Sequence, residues 1–80
     1  MKDYGWVRYK FNTEVPQMWK MTTFVGKATT IRELRKKIIE QENSRHWKTV
    51  KIFDETKKRE LKDTEVIKRF HTVYILPVFQ

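Results

Sequence analysis

One stretch of the chain, Thr30-Ile31-Arg32-Glu33-Leu34-Arg35-Lys36-Lys37-Ile38-Ile39-Glu40, is patterned as an amphipathic helix, and nearly everything around it is patterned as strand. Thr30 and Glu33 have the spacing of a capping box. The threonine hydroxyl accepts from the N–H of Glu33, and the Glu33 carboxylate accepts from the N–H of Thr30. Ile31, Leu34 and Ile38 fall at i, i+3 and i+7, one apolar stripe on one face. The helix is expected to run from Ile31 to about Glu42, with Asn43 as its stop. Its stripe needs a sheet to lie on.

The flanking residues supply that sheet. Trp6-Val7-Arg8-Tyr9-Lys10-Phe11 alternates by two, with Val7, Tyr9 and Phe11 on one face and Trp6, Arg8 and Lys10 on the other. Asn12-Thr13-Glu14-Val15-Pro16-Gln17 has turn chemistry. Met18-Trp19-Lys20-Met21-Thr22-Thr23-Phe24-Val25 reads as the second strand, ended by Gly26. After the helix, Ser44-Arg45-His46-Trp47 is a connection and Thr49-Val50-Lys51-Ile52-Phe53 a third strand. Asp54-Glu55-Thr56-Lys57-Lys58 is a polar turn, and Glu60-Leu61 a very short strand. Asp63-Thr64-Glu65 is a turn or cap, after which Val66 and Ile67 return to the core. Thr72-Val73-Tyr74-Ile75-Leu76 is the last strand, with Pro77 expected to end its regular pairing. The resulting ββαβββ order is that of an α+β β-grasp, or ubiquitin-like, domain: one main helix on a mixed sheet, with first and last strands parallel neighbours at its centre.

Size limits the function. A single domain of 80 residues buries only about 60–65% of the surface its unfolded chain exposes, which argues against a deep catalytic pocket. The absence of cysteine removes disulfides, thiolate metal sites and thiol nucleophiles. No apolar run approaches the roughly 18 residues of a membrane span, and Met1-Lys2-Asp3-Tyr4-Gly5 lacks the apolar core of a signal peptide. Cytosol or nucleus is the expected location. A count of 18 basic against 10 acidic residues, net +8, favours a polyanionic partner. An ordinary solvated surface accounts for that charge equally well.

Nothing in the sequence assembles a catalytic site. His46 and His71 stand in different segments without spaced partners. Asp54, Glu55, Asp63 and Glu65 lie in turn-like contexts, where such side chains cap backbone groups. Two glycines leave no phosphate-cradling loop. No enzyme activity, metal or cofactor is expected. Glu33 and Lys37 are spaced as a favourable i, i+4 pair, and Arg32, Arg35, Lys36 and Lys37 read as the solvated back of the helix.

The face of the sheet away from the helix carries more information. Alternation places Arg8 and Lys10, Lys51 and Phe53, and Tyr74 and Leu76 there. Cations mixed with aromatics suit a protein interface or single-stranded RNA stacked on the rings.

Four stretches resemble a known family, the DWNN domain. Val7-Arg8-Tyr9-Lys10-Phe11 is similar to its opening strand, V-x-Y-K-F, and Thr23-Phe24-Val25-Gly26 to its T-F-D-G, with Val25 in the aspartate position. Ile31-Arg32-Glu33-Leu34-Arg35-Lys36-Lys37-Ile38 resembles its L-x-D-L-K-x-x-I helix. Glu60-Leu61-Lys62-Asp63 through Ile67, then Val73-Tyr74-Ile75 and Pro77, resembles its closing segment, with Lys68 replacing a proline. The similarity spans residues 7 to 77. The DWNN domain is the ubiquitin-like module that opens retinoblastoma-binding E3 ubiquitin ligases and the fungal subunit of the pre-mRNA cleavage and polyadenylation factor. The resemblance implies a noncatalytic, nuclear, monomeric docking module whose partner is the cleavage factor's nuclease subunit, with any RING ligase carried elsewhere. Arg8, Lys10, Lys51, Phe53, Tyr74 and Leu76 are the expected contact residues. Two alternatives use the same face: direct RNA binding, and a PB1-type association in which a first-strand lysine such as Lys10 meets an acidic partner. Lys51 in the middle of the third strand, where ubiquitin presents an aliphatic patch, predicts that ordinary ubiquitin receptors do not read this domain.

Overall fold

The computed structural model describes residues 3–11, 19–43, 45–56 and 58–80. The expected turn over residues 12–17, the start of the second strand at Met18, and Ser44 and Lys57 lie outside them. Among the described residues, seven strands and one helix follow in the order β1 (Tyr4–Phe11), β2 (Lys20–Val25), β3 (Ala28–Thr30), α1 (Ile31–Glu42), β4 (Trp47–Phe53), β5 (Glu60–Leu61), β6 (Val66–Lys68) and β7 (His71–Phe79). Five of the strands form one sheet in the order β2-β1-β7-β4-β5. At its centre β1 and β7 run parallel, from Val7↔His71 to Phe11↔Ile75. This is the expected β-grasp.

Strand alternation builds the core. Val7, Tyr9 and Phe11 of β1 point toward the helix with Phe24, Val50, Ile52, Leu61, Val73 and Ile75, and all are buried. Ile31, Leu34 and Ile38 meet them from α1 with no exposed surface. Each fully buried aliphatic side chain contributes about 1.5–3 kcal/mol from the area it removes from water. Trp47, Ile39 and Ile67 pack against the rim of this cluster.

The ends of α1 are defined by local chemistry. The Glu33 N–H donates to the Thr30 hydroxyl at 3.2 Å, and Asn43 closes the helix in the left-handed region with φ 49°, its N–H donating to the Ile39 carbonyl. The N–H groups of Ile31 and Arg32 donate to the carbonyls of Glu65 and Asp63. The loop after β5 therefore satisfies part of the helix start, and Glu33 does not return the capping-box bond. Thr30 instead ends β3, paired with Val66.

Several expectations need correction. Sequence periodicity missed β3 and β6, which pair as a separate antiparallel ribbon; three residues are too few to show a period. In that ribbon Ile67 faces the core, while Val66 is 63% exposed. Trp47 belongs to β4, where an irregularity between Trp47 and Thr49 lets its ring turn inward against Phe11. Pro77 does not end β7. It pairs opposite Val50 inside a strand that continues to Phe79. Among the described residues Pro77 has a ladder partner only on β4, the ladder with β1 being described as far as Ile75, and a position with one ladder tolerates a missing N–H. The spaced Glu33–Lys37 pair does not form, because Lys37 donates to the Thr23 carbonyl instead.

Candidate functional site

The helix and both sheet edges are occupied by structural tasks. On the β2 edge, Lys37 Nζ donates to the Thr23 carbonyl at 3.1 Å, and Gln41 Nε2 to the Met21 carbonyl at 3.0 Å. On the other side β5 covers only Ile52 and Phe53 of β4. Arg35 reaches beyond it to donate from Nε to the Val50 carbonyl at 3.0 Å, and also pairs with Asp63. An added partner strand would need free ladder groups at an edge, and these side chains occupy several of them.

The carboxylates that could have suggested acid–base chemistry are also structural. Asp54 accepts from the Thr56 hydroxyl at 2.7 Å and from the N–H groups of Thr56 and Lys58. The Thr56 hydroxyl above all, with these backbone donors, holds its carboxyl below the usual range. Glu65 accepts from the Lys62 N–H and pairs with Arg59, whose guanidinium is the main cause of its lowered pKa. The exposed His71 donates from Nδ1 to the carbonyls of Lys68 and Arg69, which pins the turn before β7. His46 lies elsewhere, at the start of β4, where its carbonyl accepts from the Gln80 N–H.

One partly buried polar network among the described residues lies under the sheet. The Tyr9 hydroxyl donates to Glu42 Oε2 at 2.7 Å, and Lys20 Nζ donates to Oε1 at 2.8 Å. Tyr9 has no exposed surface. Burial first, then the Glu42 carboxylate, push its phenol far above the ordinary tyrosine range. The network anchors the last residue of α1 to β1 and β2. It has no open approach from solvent on the Tyr9 side.

The sheet face away from the helix remains. All six residues expected to form the contact surface lie on it. Register places Lys10 beside Tyr74 and Tyr74 beside Phe53. In the next outward row Leu76 sits beside Lys51, and in the row before it Arg8 sits beside Thr72. Arg8 and Lys51 are exposed, and Lys10, Phe53, Tyr74 and Leu76 are half-buried. Among the described residues, Arg8, Lys10 and Lys51 enter no ion pair, and the outward positions of β1, β7 and β4 carry no carboxylate. Glu60 faces outward only at the edge, opposite Phe53.

Sequence reasoning missed a large part of this face. Trp19 precedes β2, and its ring reaches back over β1. Lys10 Nζ lies 3.7 Å from the ring centroid, the Arg8 guanidinium carbon 4.9 Å, and the Tyr74 ring 6.2 Å. Arg8 also lies over Trp6 at 5.3 Å. Trp6 in turn packs on Phe70 at 5.2 Å, and the Arg69 guanidinium carbon lies 4.9 Å from the Phe70 ring. Phe70 adopts φ 67°, a conformation rare for a bulky side chain. Its N–H donates to the Trp6 carbonyl at 2.6 Å, which ties the turn to β1. The outward alternation of Trp6 with Arg8 was the one available signal for this extension.

Comparison with known proteins agrees with the geometry. The family model described as the DWNN domain matches residues 7–77 of the 80-residue chain. No curated protein matches the sequence.

Proposed function

Because the chain belongs to the DWNN family, a ubiquitin-like and noncatalytic domain type, we propose that it is a docking module of the nuclear pre-mRNA 3′-end processing machinery. Its partner is the nuclease subunit of the cleavage factor, and its contact surface is the outward face of the sheet. The observation that carries this reading is a face holding Arg8, Lys10 and Lys51 without carboxylate partners among the described residues, around half-buried Phe53, Tyr74 and Leu76. A half-buried aromatic cluster rimmed by cations has the composition of an interface centre. The helix side of the sheet is committed to the core.

Binding of the purified domain to the nuclease subunit tests the proposal. The double variant Lys51→Glu with Tyr74→Ala should weaken the complex about 30-fold or more, the effect of losing a hot spot. Because both side chains face away from the core, the far-UV circular dichroism should stay near wild type, while loss of the half-buried Tyr74 ring and its contact with Trp19 lowers the denaturation midpoint modestly without unfolding the domain. Undiminished affinity in a folded double variant would remove this face from the interface.

A further inference from the structure

The outward face extends beyond the six expected residues, past Arg8 and Lys10 to Trp6, Trp19, Arg69 and Phe70. Arg69, Phe70, Trp6, Arg8, Trp19 and Lys10 form a continuous chain of cations and rings, with successive separations between 3.7 and 5.3 Å. The Arg8 guanidinium lies between two indoles, at 5.3 Å from Trp6 and 4.9 Å from Trp19. Held between two rings, a guanidinium is restricted in orientation and can still turn its N–H edge to a planar, two-oxygen acceptor, and among the described residues Arg8 enters no ion pair. The apolar margin is unusually exposed: Tyr4 is 63% accessible, Val25 59%, Met21 51% and Phe70 51%.

We propose that this extended part of the face binds an acidic segment of a protein partner, with a carboxylate seated on Arg8 and Lys10 and flanking apolar side chains against Met21, Val25 and Phe70. The inference rests on the docking reading and adds the partner's chemistry to it. Two observations favour a peptide carboxylate over single-stranded RNA. First, nonspecific single-strand binding uses aromatic rings whose faces are open to the bases. Here Lys10 and Arg8 already lie over Trp19, which keeps 42% of its surface accessible, and Arg8 and Phe70 lie against Trp6. The rings serve as platforms for the protein's own cations. Second, the exposed margin of tyrosine, methionine, valine and phenylalanine offers apolar area rather than further cations. The backbone at Phe70 supports the same reading, since a phenylalanine held at φ 67° presents its ring at the rim where a glycine would sit without strain.

The test is a titration of the 80-residue protein, followed by the Arg Hε and indole Hε1 NMR resonances. Three probes are used: a synthetic twelve-residue peptide of glutamates interspersed with leucine and phenylalanine, the same peptide with glutamine for every glutamate, and decauridylate. The acidic peptide should shift Arg8, Trp6 and Trp19 and bind at least about 10-fold tighter than its glutamine counterpart. Arg8→Gln should remove most of that difference, with core amides such as Val73 and Ile75 unmoved. No shift with millimolar acidic peptide, equal binding of the glutamine peptide, or tighter binding of decauridylate at these residues overturns the proposal. The two readings fail separately. If Lys51→Glu with Tyr74→Ala abolishes nuclease-subunit binding while Arg8→Gln leaves it intact, docking stands and the acidic-segment site falls. If the acidic peptide binds at Arg8 but that double variant still docks normally, the reverse holds.

Discussion

Phe70 is a bulky side chain held in left-handed backbone, and its ring contact with Trp6 opposes the local strain. A left-handed conformation disfavours a Cβ-bearing residue by about 1–2 kcal/mol, and an aromatic pair contributes about 0.5–1.5 kcal/mol beyond its area. The two terms are similar, so they can be separated by substitution. Phe70→Ala removes the ring and keeps the strain, whereas Phe70→Gly removes both. The glycine variant should be the more stable of the two by about 1 kcal/mol, the reverse of the order expected at ordinary strand positions. Urea denaturation of both variants decides it, and an alanine variant equal to or better than glycine would refute the strain. At this scale the alternation of Arg8, Lys10, Lys51 and Tyr74 was readable in the sequence. Trp19 was not, because period two assigned it to a strand that begins one residue later. Its position over Arg8 and Lys10 is a tertiary fact with no local signature.

The strands and helix show how β2 is protected as an edge. Lys37 and Gln41 lie one helical turn apart and reach the carbonyls of Thr23 and Met21, two residues apart on the strand. Each bond contributes about 0.5–1.5 kcal/mol at most, so stability alone is a weak reason for the arrangement. Covered carbonyls also cannot template another chain. The variant Lys37→Ala with Gln41→Ala should lose little stability but self-associate at concentrations where the wild type does not. Sedimentation velocity measures this, and a monomeric double variant would show that the edge is protected by other means. The helix itself was legible from its cap and stripe, and the four longer strands of the main sheet from alternation, while the two-residue β5 was expected but is too short to alternate. The β3–β6 ribbon was not, and Pro77 was misread, because a proline's effect depends on how many neighbours its strand has at that point.

For the whole molecule, the burial of Tyr9 sets an alkaline limit. An unfolded tyrosine ionises near pH 10, while the folded Tyr9 keeps its proton well beyond that point. Above pH 10 the unfolded state therefore binds fewer protons than the folded one. The stability involved is complete below pH 10 and is lost as pH rises toward the folded value. Comparing urea midpoints at pH 9 and pH 11, Tyr9→Phe should lose less stability over that interval than the wild type; equal losses would mean the phenol is not protected. At neutral pH the same variant should be less stable by about 1 kcal/mol, because Glu42 loses a donor. The topology was legible in outline, since a capped helix between two strand pairs has few ways to cover its stripe. The parallel pair at the centre, with partners such as Val7 and His71 drawn from opposite ends of the chain, has a mechanical consequence. If the Tyr4 end of β1 and the Phe79 end of β7 are pulled apart, the two strands slide along each other. The load then falls on the whole Val7–Phe11 ladder at once, not on one bond after another. The domain should therefore resist traction applied through its ends far better than it resists peeling of its β2 edge.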